Sequence, residues 1–392
     1  MSRRRELKMK NVGIEHLEQY NQLLRYVFQV TDKDLQESGW EEKEMIRAKS
    51  PTLEQAYVKG WFDGDKLISQ VAVYPMKVRI FNKTYDMGGL TGVGTYPEYA
   101  NQGLMHKLLY QSLKNMKENK QSISYLYPYS IPYYRRKGWE IVSDKITYEI
   151  KDYQLPKNKQ VSGEVERVDV EGEEVKRAYE RFAYQTHGAL IRDDLAWNEY
   201  WLWDSDDLMA AIYYNDKNEP DGYVLYWIKE EVFHIKDMIF INEEARTGLW
   251  NFISAHFSMI NKVVGDTYTD EPLAFLFEDA DIKESISPYF MARIVDLEDF
   301  IEQYPFKPDN VVREWTFKMD DPILTWNQGY FKLTIDKDGK GKISRTSEKT
   351  EDRIDIQTMT TMLLGYKRPD YLYKIGRISC SNDTVDMLED AI

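Results

Sequence analysis

The stretch DMGGLTGVGTYPEYANQGLMHKLL, Asp86 to Leu109, reads as a strand, a tight turn and the start of a helix. The strand begins with a Gly pair. Pro97 and small polar residues make the turn. From Gly103 onward the apolar residues fall at helical spacing: Leu104, Met105, Leu108, Leu109, Leu113 and Met116 share one face, with Lys107, Gln111 and Lys114 opposite. Successive backbone N–H groups at a helix start point the same way and, with the helix dipole, attract an anion. Gly103 has no side chain to keep a phosphate away, and Asn101 and Gln102 carry side-chain donors. Most Gly-containing junctions between a strand and a helix only turn the chain, so the surrounding elements decide between the two readings.

Before the stretch, Leu17, Tyr20, Leu23, Leu24 and Val27 mark a helix. AYVKGWFDGDKLISQVAVYPMKVRIF then reads as a hairpin turning at Asp63-Gly64-Asp65. After the stretch come a short buried strand, SISYLYPYS, a short helix in IPYYRRKGW with Pro132 near its start and Gly138 closing it, and a strand in WEIVSDKITYEI. The polar, Pro156-containing segment KDYQLPKNKQVSGE is the first candidate boundary. Beyond it the order repeats: two helices (GEEVKRAYERFAYQTHG and DLAWNEYWLWD), strands over residues 209–241 with turns at 215–218 and 219–222, and a helix in EARTGLWNFISAHFSMI. This suggests an internal duplication. A last segment from about residue 288 holds a hairpin around DKDGKGK and a helix in DIQTMTTMLLG.

With 392 residues, the chain is expected to form two or three domains. It is 42% hydrophobic and 30% charged, hence globular. The net charge of −14 argues against nucleic acid and against an anionic membrane surface as partners. It suits a cationic substrate or a basic peptide, although solubility alone also accounts for it. One cysteine, Cys380, excludes an intrachain disulfide and a Cys-based metal site. The basic N-terminus is followed by no apolar run, and no stretch reaches the ~18 apolar residues of a membrane span. A cytoplasmic protein is the expectation. His16, His106, His187, His234 and His256 show no metal-ligand spacing, so no metal is expected.

The order of elements around Gly103 resembles the GNAT superfamily of acyl-CoA-dependent N-acyltransferases. The resemblance implies that this turn binds the pyrophosphate of coenzyme A. The family pattern there is Arg or Gln, two residues, Gly, one residue, then Gly or Ala; in Ala100–Met105 only Gly103 matches. GGLTGVGTYPEYANQGLMHKLL and YLYPYSIPYYRRKGW further resemble the two signature regions of the Eis (enhanced intracellular survival) type. That resemblance implies an α/β (α+β) fold: two GNAT-like mixed-sheet domains in tandem, over 1–155 and 156–287, and a smaller sterol-carrier-like α/β domain over 288–392. It implies acetyl-CoA as co-substrate, with Val93, Gly94 and Thr95 along its pantetheine arm and Asn101, Gln102, Gly103, Leu104 and Met105 at its phosphates. It also implies a homo-oligomer, hexameric in the resembling family. Phe28 and Trp40 are pocket candidates, because the N-terminal helical region borders the amine site in that family.

Acetyl transfer to an amine requires a neutral amine, a stabilised oxyanion and a protonated leaving thiolate. A tyrosine, with a pKa near ~10, is protonated at neutral pH and can supply that proton. In Eis-like proteins the acid lies four residues before the Gly of a Gly-aromatic pair. Counting back from Gly138-Trp139 gives Tyr134, while Tyr133 would point to another side of the helix. Both could instead be core tyrosines. The resemblance implies the chain's own C-terminal carboxylate as base, on a tail ending in an aromatic residue. VDMLEDAI lacks that ending, and Ile392 is given no catalytic role. Trp197, Trp201 and Trp203 read as core or an interdomain face rather than a ligand cage. Two functions follow: an N-acetyltransferase acting on an aminoglycoside, polyamine or lysine amine, or a non-enzymatic carrier of an apolar ligand with GNAT domains as scaffold.

Overall fold

In the first sheet, strand β3, Lys66–Ile80, is buried along most of its length, as a strand covered by helices on both faces must be. The computed structural model describes residues 6–37, 48–201, 207–267 and 273–392. Strands β1 (Leu7–Asn11), β2 (Tyr57–Asp63), β3 and β4 (Lys83–Thr95) pair antiparallel in sequence. Helices α1 (Leu17–Phe28), α2 (Asp32–Glu37) and α3 (Ser50–Gln55) lie between β1 and β2. Gly64, at φ 65°, closes the β2–β3 hairpin where the Asp-Gly-Asp triplet places it.

Helix α4, Leu104–Glu118, follows β4 and buries Leu104, Leu108, Leu109, Leu113 and Met116. It packs with Val71, Val73 and Leu90 of the sheet. α1 covers the opposite face, where Tyr20 and Leu23 join Leu67, Ala72 and Tyr74. β5 (Ile123–Leu126), helix α5 (Ile131–Arg135) and β6 (Glu140–Ile141) complete the local sequence. The sheet does not close with them. The strand Met291–Ile294 enters between β5 and β6, pairing antiparallel with both.

WEIVSDKITYEI divides accordingly. Its first part is β6; its second, Asp144–Lys151, belongs to another sheet, between the strands Lys262–Thr267 and Lys283–Pro288. The domain ends expected at residues 155 and 287 therefore do not coincide with the sheets, because strand patterning specifies an extended segment and its buried face but not its partner. The chain folds as two compact units, one of residues 1–142, 192–203 and 290–392, the other of 143–191 and 204–289.

The second unit is a seven-stranded mixed sheet with the helices Glu173–Gln185 and Glu243–Ser254. Only one of the two turns expected over 215–222 forms. Pro220 to Gly222 open the strand Pro220–Lys229, and the next reversal is at Glu230 and Glu231, with φ of 53° and 59°. Proline is tolerated as the first residue of a strand.

Within the first unit, residues 313–379 form a five-stranded sheet, with Arg313–Asp320 at its centre. Its helix Ile356–Leu363 is joined to the first sheet: Ile294 N donates to Thr360 Oγ1 at 3.1 Å, and Thr361 Oγ1 donates to Ile141 O at 2.9 Å. Among the described residues no helix is long and apolar enough to cross a membrane.

Candidate active site

β4 and β5 run parallel for only three residue pairs, Met87↔Ile123, Gly88↔Ser124 and Gly89↔Tyr125. Beyond Gly89 the strands separate, and among the described residues Leu90 to Thr95 have no strand partner on that side. On the other side the β3–β4 register slips, placing Gly92 and Val93 opposite Val71 alone. Gly92 takes φ 61° in this bulge. The outcome is a cleft between two splayed strands, lined on one edge by free backbone donors and acceptors of Leu90–Thr95. Val93 and Thr95 are half-buried there, and Gly94 is buried under α1; Thr95 Oγ1 lies 2.6 Å from Ser69 Oγ.

At the end of β4, Pro97–Tyr99 makes one tight turn and Asn101 and Gly103 take φ of 61° and 71°. No side chain caps α4. Among the described residues, the backbone N–H groups of Asn101 to His106 donate to no protein acceptor. A Cβ built on Gly103 would have nothing within 4 Å, so the space over the turn is open. Leu104 packs inward against Ile68 and Tyr99, Met105 lies against the core under α4, and Asn101 and Gln102 are exposed. Open donors and open space fit a phosphate group. The loop contains no cation, but the fold brings one: Lys137 Nζ lies 3.2 Å from His106 Nδ1 on the first turn of α4. Burial and the Lys137 charge together lower the His106 pKa, which keeps that ring neutral. Lys137 was invisible as a site residue because it lies far along the chain from the loop.

Tyr134 is 7% exposed and packs with Leu90 of β4, Leu108 and Leu109 of α4 and Leu126 of β5. Burial pushes its pKa well above the ordinary tyrosine value, so it stays protonated. Its ring meets Trp139 edge-on at 6.1 Å and Tyr133 edge-on at 5.2 Å. Tyr133 does not leave the site; it is half-buried against the same core, and its pKa is raised by burial and lowered by Arg136.

Beneath this helix lies Arg293, from the inserted strand. It is fully buried, donates to the Lys137 carbonyl and pairs with Asp321 through Nη2, at 2.7 Å and 2.5 Å to the two carboxylate oxygens. Asp321 also accepts from Ile323 N at 2.9 Å, Leu324 N at 2.8 Å and Asn327 Nδ2 at 3.2 Å. The loop carrying Tyr134, Lys137 and Trp139 thus rests on an ion pair with one member from each of two later segments.

The remaining candidates scatter. Phe28 is 46% exposed at the end of α1, its ring 6.5 Å from that of Tyr129 in the β5–α5 loop. Trp40 and Trp203 lie outside the described residues. Trp197 is buried and stacks on Trp201 at 5.4 Å. Ile392 is buried, its backbone oxygen accepting from Lys307 Nζ at 2.6 Å and Arg368 Nη1 at 2.8 Å. Among the described residues no group of three or more His, Cys, Asp or Glu could hold a metal.

The second unit repeats the splayed strands: Val232–Phe240 and Lys262–Thr267 run parallel only from Val232 to Ile235. The following helix start differs. Asn242 caps it by accepting from Ala245 N at 2.8 Å, and Glu243 and Glu244 occupy its first turn. Two carboxylates at a helix N-terminus repel the anion that the first unit's open turn would attract.

Residues 8–142 and 188–294 each match a GNAT acetyltransferase domain, and 297–392 match a sterol carrier protein domain. No curated protein matches the chain. Among solved structures it is similar to a probable N-acyltransferase from Enterococcus faecalis V583, 27% identical over 98% of this chain and 97% of that one, with a TM-score of 0.88. It shares its fold with a GCN5-related N-acetyltransferase from Anabaena variabilis (23% identity, 98% and 97% covered, TM-score 0.85) and with Eis1 from Mycobacterium abscessus (17%, 98% and 96%, 0.81). The chain is therefore a GNAT-superfamily protein, with two GNAT acetyltransferase domains in tandem and a C-terminal sterol carrier protein domain.

Proposed function

We propose that the first GNAT domain transfers an acetyl group from acetyl-CoA to a primary amine of an aminoglycoside, polyamine or lysine side chain. The observation that carries this reading is the juxtaposition of the β4–β5 cleft with a buried, protonated Tyr134 on its α4 side. The unpaired backbone of Val93, Gly94 and Thr95 offers an extended edge for the pantetheine arm. The N–H groups over Asn101–Met105 would hold the pyrophosphate, with Lys137 adding charge. A backbone N–H at the Gly92 bulge would face the oxyanion. The amine attacks the thioester carbonyl directly; as the C–S bond breaks, Tyr134 gives its proton to the departing thiolate and regains one from the nitrogen of the new amide. Binding is tested by the rise in melting temperature with acetyl-CoA, since a ligand at 100 times its Kd stabilises by ~2.7 kcal/mol. Turnover is tested by thiol release across an amine panel. No stabilisation and no thiol release would overturn the reading.

A further inference from the structure

The face of the first sheet opposite Tyr134 carries a polar chain that the proposed acetyl transfer leaves unused. Its carboxylate is Glu199, on the helix Asp194–Trp201, in a stretch whose sequence reads as part of the second GNAT domain but which folds with the first unit. Glu199 Oε2 lies 2.6 Å from Lys49 Nζ, and its Oε1 accepts from Thr52 Oγ1 at 3.1 Å. Thr52 Oγ1 in turn lies 3.0 Å from Tyr74 Oη. Thr52 is fully buried and Tyr74 is 6% exposed.

The direction of these bonds follows from chemistry. An ionised carboxylate only accepts, so Thr52 donates to Glu199. Thr52 has one proton, so its oxygen accepts from Tyr74, leaving lone pairs on the Tyr74 oxygen at the open end of the chain. The backbone of Tyr74 runs beside the cleft. Tyr74 pairs across the sheet with Gly89, the last residue at which β4 holds β5. Beside it is the hydroxyl of Tyr20, 1% exposed and, among the described residues, without a hydrogen-bond partner. It lies 2.8 Å from where a Cβ on Gly92 would be. Burial, with the nearby Glu199 carboxylate adding to it, raises the pKa of both tyrosines, so both stay protonated.

Building on the proposed acetyl transfer, we propose that the acceptor amine enters on this face and is deprotonated at Tyr74, with Glu199 as the terminal proton acceptor. An N–H bond of the substrate ammonium breaks and its proton goes to Tyr74 Oη. The Tyr74 proton moves to Thr52 Oγ1 and the Thr52 proton to Glu199 Oε1, and the lone pair left on nitrogen attacks the carbonyl. Lys49 stays on Oε2 and keeps Oε1 turned to Thr52. Acid and base then flank the cleft from opposite faces. Among the described residues, the charged group on Glu199 is the Lys49 ammonium before α3, and the neutral hydroxyls of Thr52, Tyr74 and Tyr20 lie around it. This also gives a role to a carboxylate that no spacing near the cleft residues could reveal.

The test uses the full chain, acetyl-CoA, and whichever of spermidine, neomycin or Nα-acetyl-lysine the wild-type protein acetylates. Glu199→Gln should lower kcat/KM at pH 7 by about 10²-fold. The loss should shrink toward pH 10, where an amine of pKa ~10.4 arrives increasingly deprotonated. Thr52→Val breaks the chain but leaves the Lys49–Glu199 pair, and should show the same loss and the same pH dependence. Acetyl-CoA affinity by calorimetry should be unchanged in both. A loss independent of pH in both variants marks a purely structural ion pair and overturns the proposal, as does wild-type activity at pH 7 in Thr52→Val. Absence of acetylation by the wild-type protein would instead overturn the parent reading.

Discussion

Arg293 occupies the space that a side chain at Gly138 would need: a Cβ there would lie 1.9 Å from Arg293 Nη1. Gly138 also takes φ 92°, a conformation that side chains disfavour. The glycine that closes the Tyr134 helix is therefore required twice, once by the backbone and once by the guanidinium beneath it. Gly138→Ala should destabilise the protein by about 3 kcal/mol or more, combining backbone strain with a disturbed buried ion pair. Urea denaturation measures this, and an unchanged midpoint would refute the packing described.

Asp321→Asn removes the charge facing Arg293 while keeping the shape. Breaking a buried pair on one side typically costs about 3–5 kcal/mol, because the remaining charge is left uncompensated. Arg293→Met in the same chain should recover much of that loss. A double-mutant cycle on denaturation free energies checks it, with strict additivity as the contrary result.

Gly103→Asp should weaken acetyl-CoA binding about tenfold or more while the fold survives. The new carboxylate would stand in open space over an uncapped helix start, where it opposes a phosphate. Calorimetry reads the affinity and a melting curve reads the fold. Unchanged affinity in a folded variant rules this turn out.

Tyr134→Phe should retain acetyl-CoA binding and lose about 10²–10⁴-fold in kcat. Tyr133→Phe should lose little. The acid must be protonated to act, and burial raises its pKa above the usual ~10. Its loss of function on deprotonation is thus shifted to higher pH, and kcat should show no fall attributable to Tyr134 between pH 7 and about 10. An alkaline limb below pH 9 that disappears in Tyr134→Phe would contradict this.

Titration of the whole chain with acetyl-CoA should give a stoichiometry of about one. The second unit's helix start is already capped by Asn242 and carries Glu243 and Glu244, which disfavour an anion. Two equivalent sites would show that this charge argument fails.

The local features of the first domain were legible in the sequence, because each has a short-range cause. Apolar spacing gave α4, the Asp-Gly-Asp triplet gave the β2–β3 turn, and Pro132 and Gly138 bracketed the Tyr134 helix. The tandem GNAT and sterol carrier make-up was legible through the motifs around Gly103 and Tyr134. What pairs with what was not. Asp144–Lys151 looks like the last strand of the first sheet and lies in the second unit's sheet, while Met291–Ile294 crosses back to fill the gap. A strand's alternation records which face is buried, and either sheet satisfies it equally. The same crossing brings Arg293 under Gly138, and the helix bearing Glu199 reaches Thr52 from a similar distance along the chain. Those contacts depend on long-range pairing that only the tertiary structure decides, because no residue's intrinsic preference encodes its partner far along the chain.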